Sequence, residues 1–361
     1  MSMNESKAYY WLSLANSAPR TVNKILEQYS PLEFWNDYEC IMSSTALGEK
    51  NAFKALKRFH SESYIDESLS RLARLGIKVA TRTGGKFPKR LMQREVDPPI
   101  VLYYKGDISL LDTECFAIVG TRSASMYGEN TAKKFSRELS RYFTIVSGLA
   151  MGIDGYAQRA ALDADGKTIG VLGSGFNCFT PACNKRLFDE VCERGLVISE
   201  YAPDIFPTKY TFPQRNRIIS GLSRGVLVVE AKTGSGALIT ADLANSQNRE
   251  VYAVPGNLDR ANASGTNSLI SKGEAKLVID YKDILRDLNV DFDENNDKNH
   301  IATLDNSELK VYNLLQNGGM HADEICLKLK MNIVELTALL TTMELKHVIK
   351  KCASSTYCLA E

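Results

Sequence analysis

The sequence predicts an α/β protein: an extended Rossmann-like domain with a mainly parallel sheet, preceded by a small helical domain and followed by a winged-helix-like domain. Three observations carry that expectation. Between Phe116 and Ile279, short apolar runs such as FAIVG, TIVSG, TIGVLG, GLVIS and GVLVVE alternate with segments of helical spacing, the pattern of parallel strands covered on both faces. Four turns that follow predicted strands are rich in glycine. At both ends of the chain the strand pattern gives way to helical periodicity.

Residues 1–75 read as helical, because Val22, Ile25, Leu26 and Tyr29, then Phe53 and Leu56, then Ile65, Leu69 and Leu72 recur at helical spacing up to a stop at Gly76. Within them, Ala46 to Phe59 reads either as a helix-hairpin-helix, with Gly48 turning the backbone toward a DNA phosphate, or as a plain packed helix pair. Residues 76–290 form the α/β domain. It opens with the strand-like IKVA and IVLYYKG, and the DPP of Asp97 to Pro99 fixes an extended entry to the second. Helices are predicted with Ala132, Phe135, Leu139 and Phe143 on one face, and over Tyr156–Ala164, Lys185–Arg194 and Ala237–Asn248. Residues 291–303 read as a linker, since Asp291 to His300 is polar, acidic and aperiodic. In residues 304–361, Leu309, Leu314 and Leu315, then Ile325 and Leu329, then Val334, Leu339 and Met343 mark three helices. Val348, Ile349, Tyr357 and Leu359 bracket a turn at Ala353-Ser354-Ser355. Three helices and a hairpin resemble a winged helix. Acidic residues from Asp305 to Glu344 balance its lysines, which favours a protein-contacting or regulatory role over DNA reading.

Composition narrows the function. A formal net charge of +1 excludes a tail-driven polyanion binder and leaves room for a local basic groove. No apolar run approaches the ~20 residues of a membrane span, and MSMNESK is no signal peptide. The eight cysteines are scattered, which fits a reducing cytoplasm. Cys178, Cys183 and Cys192 lack CxxC spacing and a nearby histidine, so structural thiols are favoured over zinc and no metal is expected. All four histidines lie outside Phe116 to Ile279, which excludes histidine catalysis there.

The candidate site centres on Phe212 to Ala241. No acidic residue falls between Ile205 and Val229, while Lys209, Arg215, Arg217 and Arg224 supply cations and Tyr210 and Phe212 supply aromatic faces. The glycine turns lie at Gly120; at Ser147 and Gly148; at Gly173, Ser174 and Gly175; and at Thr233 to Gly236, with Gly234 and Ser235. At one edge of a sheet, four such turns make a phosphate-binding rim. A dinucleotide cofactor is not expected: the first turn is no GxGxxG, and the second strand ends in Ser147 where an acid for the ribose belongs. Arg122 puts a guanidinium at the rim, either to fork onto a phosphate or to form a structural salt bridge. Arg215 and Arg217 can contact phosphates or remain solvated, Asn216 can donate to a phosphate or hold the loop, and Phe212 can stack on a base or belong to the core. Aromatic faces beside cations favour single strands over a duplex, whose bases hide their faces.

The stretches FPKRLMQREVDPPIVLYYKGD, AIVGTRSASMYG, VSGLAMGIDGYAQRAAL, TIGVLGSGFNCFTPACNKRL, ISEYAPDIFPTKYTFPQRNRIISGLSRGVLVVEAKTGSGALITADLA and VYAVPGNLDRANASGTNSLISKG together resemble the DNA-processing DprA/Smf family, in order, from Phe87 to Asp280. The resemblance implies an extended Rossmann fold without catalysis or cofactor, single-stranded DNA binding, homodimerisation, and delivery of DNA to RecA in natural transformation. It carries the family's basic pocket onto Arg122, Gly173 to Gly175 and Lys209 to Arg217. Gln158 stands where the family has His, Phe179-Thr180-Pro181 replaces Tyr-Pro, and Glu274 follows Lys272-Gly273 where Ala is common, toward the end that carries the dimer contact. The competing reading is a LOG-type nucleoside-monophosphate phosphoribohydrolase, with Glu230, Asp154 and Glu200 as acids, but EAKTGSG is not the PGGxGT of those enzymes. A third reading, a transcription factor led by the winged helix, requires duplex recognition by the C-terminal part alone.

Overall fold

The structure is a computed structural model describing residues 3–15, 19–44, 51–292, 304–316, 318–346, 348–352 and 355–359. Gly48 of the candidate hairpin, nearly all of the acidic linker, and Ala353 and Ser354 lie outside the described residues. The chain divides into two compact units, Met1–Asn289 and Val290–Glu361.

Nine strands build the sheet of the first unit: β1 (Lys78–Thr81), β2 (Val101–Gly106), β3 (Cys115–Val119), β4 (Thr144–Ser147), β5 (Thr168–Leu172), β6 (Leu196–Ser199), β7 (Gly225–Val228), β8 (Glu250–Ala253) and β9 (Lys276–Leu277). Their order is β1-β2-β6-β5-β4-β3-β7-β8-β9. All pairs from β6 to β9 are parallel, and β2 runs antiparallel to both β1 and β6. Every residue of β3 to β7 is buried, which is why these strands read as unbroken apolar runs and not as alternation. From β3 the chain winds one way to β6, then returns to β7 and winds the other way. The reversal opens a crevice at the carboxyl ends of β3 and β7, where ligands of doubly wound sheets bind.

Six helices precede the sheet: α1 (Glu5–Ser13), α2 (Pro19–Leu26), α3 (Pro31–Asn36), α4 (Tyr38–Ser44), α5 (Asn51–Leu56) and α6 (Glu62–Arg74). Fully buried Trp11 packs edge-on to Trp35 and Tyr38 and donates its indole N–H to the Leu56 carbonyl at 3.2 Å. The same apolar cluster continues into Tyr103, Leu149, Leu172 and Val197. The helical region thus shares its core with one face of the sheet and has no closed core of its own, a point that periodicity alone does not encode.

Covering the sheet are α7 (Met126–Leu139), α8 (Ile153–Asp163), α9 (Lys185–Arg194), α10 (Thr211–Leu222), α11 (Gly236–Ser246), α12 (Ser264–Ser271) and α13 (Tyr281–Asp287). The sequence reading gives α9 its observed bounds and starts α8 three residues late. It treats the FPQRNR segment as a loop, whereas the structure makes it the start of α10. Pro213 explains the difference: it falls in the first turn, where the backbone N–H that proline lacks has no helical partner anyway.

The second unit holds α14 (Asn306–Leu315), β10 (Met320–His321), α15 (Ala322–Leu329), α16 (Ile333–Leu345), β11 (Ile349–Lys351) and β12 (Thr356–Leu359), with sheet order β10-β12-β11. Val311, Ile325, Leu336, Leu340, Met343, Ile349 and Tyr357 form its core, while Val334 faces solvent. Buried Glu308 closes the N-terminal cap of α14 and takes an ion pair from Lys346 at 2.6 Å, which fastens α14 to the end of α16. This is a winged helix. Among the described residues no helix is long and apolar enough to cross a membrane.

Candidate nucleic-acid interface

A cavity of about 520 Å³ lies in the crevice of the sheet. Gly120, Thr121 and Arg122 after β3 form one side, Ala150 and Asp154 at the start of α8 another, Lys209 to Ile219 around α10 a third, and Ser235 to Thr240 at the start of α11 the last. Gly120 is needed because a Cβ there would lie 2.6 Å from the Ile153 side chain and 2.9 Å from the Glu230 carbonyl. Ser235 caps α11 by accepting from the Ala237 N–H at 3.1 Å, so the positive end of that helix faces the cavity.

Arg122 is exposed, and its guanidinium carbon stands 5.0 Å from the centre of the Phe212 ring. Lys209 is exposed likewise, 5.1 Å from the Tyr210 ring. Neither cation forms an ion pair among the described residues, so the structural salt bridge weighed for Arg122 is not what holds it. Phe212 is half-buried with its ring against Gly173, where a Cβ would come within 2.7 Å of the ring. Tyr210 and Phe206 are 71% and 74% exposed and extend the aromatic surface outward.

The other predicted cations differ. Arg215 is only 4% exposed; it donates to the Gly148 carbonyl at 2.9 Å and to the Val171 carbonyl, and from Nε to Asn216 at 3.2 Å. Burial lowers its pKa to about 10, Arg122 acts in the same direction and Asp154 opposes, so it is a fixed cation in the cavity wall at neutral pH. Arg217 does not line the cavity; it is buried in an ion pair with Glu200. Two residues apart on a helix, the arginines point to nearly opposite faces. The expectation that Arg217 contacts a phosphate or remains solvated rested on reading a loop, whereas the structure buries it against Glu200.

The glycine rim also contracts. Ser147 donates its hydroxyl to the Ile118 carbonyl at 2.7 Å, and the Gly148 N–H donates to Asp154 at 3.1 Å. Gly148 has no room for a Cβ because the Arg215 guanidinium would lie 2.5 Å away. Ser174 and Gly175 are buried, the Gly175 N–H donating to the Ile205 carbonyl at 2.8 Å and the Ser199 hydroxyl to the Ser174 carbonyl at 2.7 Å. Gly234, at φ 76°, is exposed on its turn and does not line the cavity. These glycines serve packing and turning, whereas Gly120, Arg122, Lys209, Phe212, Arg215, Asn216 and Ser235 are brought together. Asn216 holds the Gly236 carbonyl at 3.3 Å.

Supporting residues outside the predicted site are now visible. Asn184 donates to the Leu149 and Ala150 carbonyls at 3.1 and 2.8 Å and fixes the turn before α8. Fully buried Gln158 accepts from the Leu149 N–H at 2.9 Å and donates to Thr168 and the Ile169 carbonyl, each at 3.2 Å. The three candidate acids are all engaged. Burial raises the Asp154 carboxyl, against the opposing pull of Arg215 and the Gly148 and Gly120 N–H groups. Glu200 is raised by burial and opposed by Arg217. Glu230 accepts from the Ser125 N–H at 2.9 Å and hydroxyl at 2.5 Å, steadying the N-terminus of α7. Among the described residues no cluster of three metal-ligating side chains occurs.

A profile of DNA recombination-mediator protein A matches residues 78–289, and one of a DprA winged helix domain matches residues 297–353. The chain is 47% identical over 189 residues to DNA processing protein DprA of Streptococcus pneumoniae, covering 52% of this chain and 67% of that one. It is 46% identical over 194 residues to the Bacillus subtilis DprA, covering 53% and 65%, and 44% identical over 204 residues to protein Smf of Escherichia coli, covering 56% and 54%. These matches span about half to two thirds of the relatives' lengths. The X-ray structure of the S. pneumoniae protein superposes with a TM-score of 0.70 at 34% identity, over 81% of this chain and 100% of that one. A Helicobacter pylori DprA structure, described in terms of its single-stranded DNA binding mode, superposes with a TM-score of 0.53 at 32% identity, over 59% and 95%. With the Rossmann-like sheet, the basic crevice and the winged helix in place, the chain belongs to the DNA recombination-mediator protein A family, DprA/Smf.

Proposed function

We propose that the chain is a single-stranded DNA-binding recombination mediator that works without turnover, in the cytoplasm, and hands DNA to RecA during natural transformation. One observation carries the reading: Arg122, beside the half-buried Phe212 ring, and Lys209, beside the Tyr210 ring, both exposed and without carboxylate partners among the described residues, line one cavity at the switch point of the sheet. Phosphates sit on Arg122, Lys209 and the N-terminus of α11, with fixed Arg215 adding positive potential from the wall. Unpaired bases stack on Phe212 and Tyr210. The H. pylori relative, described as a single-strand binder, supports the assignment. Delivery is tested by RecA ATP hydrolysis on single strands: the protein is expected to shorten the lag, and an unchanged lag counts against the RecA part.

A homodimer fits the edge of the sheet. Among the described residues strand β9 pairs with no strand on its outer side, and Leu277 within it and Ile279 just after it are exposed. An uncovered apolar edge is a site for pairing with a second copy. Ile279→Arg is expected to shift sedimentation velocity from dimer to monomer, and a wild-type monomer at micromolar concentration would remove the dimer.

The phosphoribohydrolase reading gains no specific observation: Glu230 accepts from the Ser125 N–H and hydroxyl at the N-terminus of α7. The winged helix keeps its proposed protein-contacting role, supported by a solvent face of α16 that carries Ile333, Val334, Thr337, Ala338 and Thr341 and no cation.

A further inference from the structure

A second and larger cavity, of about 840 Å³, opens at the carboxyl ends of β7 and β8. Two chain segments contribute to both cavities. Gly120 to Arg122 line the first and Ser125 to Tyr127 the second, while Lys232 lines the second and Ser235 and Gly236 the first. The Thr121 N–H donates to the Glu230 carbonyl at 2.7 Å, which locks these segments together as a ridge between the two cavities.

The second cavity combines surfaces suited to a flat, polar-edged ring. Val254, Pro255 and Ala263 supply an apolar wall. At the mouth stand the Tyr127 ring, 52% exposed, and the Met126 thioether, 75% exposed. The Tyr127 hydroxyl is turned away to the Pro255 carbonyl at 2.9 Å, so the ring is held in place. In the wall is the Glu230 carboxylate, which keeps acceptor capacity beyond its bonds to Ser125 and to Asn262 at 3.4 Å. Lys232 is exposed and pairs with no carboxylate among the described residues. A bare phosphate is repelled from the wall by Glu230 and restricted to Lys232 and to Arg260, which stands 3.8 Å from Asp259. A base, by contrast, stacks on the ring and thioether and donates N–H to the carboxylate.

We infer that this cavity takes an unpaired nucleobase of the strand whose backbone occupies the first cavity. The inference rests on reading the first cavity as a single-strand site. The strand crosses the ridge between Arg122 and Lys232, places a phosphate on Lys232, and turns a base inward against Tyr127. The volume lies within the roughly 300–1,000 Å³ of small-ligand sites, which suits a base with its sugar.

The test is fluorescence anisotropy on the full chain, with mixed-sequence oligonucleotides of increasing length. On strands of roughly 4 nucleotides, near the lower end of known site sizes, Tyr127→Ala and Lys232→Ala are expected to bind like wild type. On strands of roughly 16 nucleotides Tyr127→Ala is expected to bind about 5-fold weaker or more, the loss of one stacked base. Tyr127→Phe keeps the ring and is expected to match wild type, which separates stacking from the hydrogen bond to Pro255. Should both alanine variants keep wild-type affinity on long strands while Arg122→Ala loses it, the second cavity takes no base and the inference fails with the first site intact. Should Arg122→Ala also have no effect, the first-site reading falls. Binding of dGMP that is lost in Tyr127→Ala, with strand affinity unchanged at every length, would assign the cavity to a free nucleotide and overturn the strand version.

Discussion

Phe212→Ala is expected to weaken single-strand binding by about 1–3 kcal/mol, or roughly 5- to 150-fold, as the loss of one base stacked on an aromatic ring. The ring is half-buried against Gly173, with the Arg122 guanidinium carbon 5.0 Å from its centre. Arg122→Ala and Lys209→Ala act on a different term. Each removes one phosphate contact, which lowers the log-log salt slope by about 0.7 for a single strand. Phe212→Ala leaves the slope unchanged. Because Arg122 lies 5.0 Å from the Phe212 ring, their effects are expected to be non-additive. Anisotropy titrations at several salt concentrations separate the two, and a Phe212→Ala variant with wild-type affinity would return that ring to a purely structural role.

The largest stability effect is expected at the ion pair formed by Arg217, which the sequence reading placed on the DNA, and Glu200. Arg217 on α10 and Glu200 are buried against each other, and Arg217 Nε and Nη1 and Glu200 Oε1 find no hydrogen-bond partner among the described residues. Removing one partner leaves an uncompensated buried charge, so Arg217→Ala or Glu200→Ala is expected to lower the unfolding free energy by about 3–5 kcal/mol in urea titration. Replacing both with apolar residues of similar volume is expected to restore most of the loss. The salt slope for a single strand should stay at the wild-type value in any variant that remains folded, which distinguishes Arg217 from Arg122. A shallower slope in folded Arg217→Ala would place its guanidinium on a phosphate after all.

Much of this architecture was legible in the chain. The buried strands announce themselves as short apolar runs because both faces of the sheet are covered, and α9 is bounded by its own periodicity. The crevice was legible too, since a run free of acids sits beside glycine turns at one edge. What local spacing concealed was the long-range partner of each polar group. Arg215 meets Gly148 and Val171, Glu230 meets Ser125, and Gly173 meets Phe212, contacts between segments about 40 to 100 residues apart in sequence. Reading FPQRNR as a loop hid α10, and with it the rotation that separates Arg215 from Arg217. The two-residue β10 of the winged helix is too short to show a period.

The central claim, that the crevice grips a single strand through phosphates and exposed bases, is tested most directly by titrating matched single-stranded and duplex oligonucleotides into the protein across a salt series. The expected result is a clear preference for the single strand, with a slope of several phosphates that becomes shallower in Arg122→Ala. Equal affinity for both forms, or a wild-type slope retained in Arg122→Ala, would contradict it.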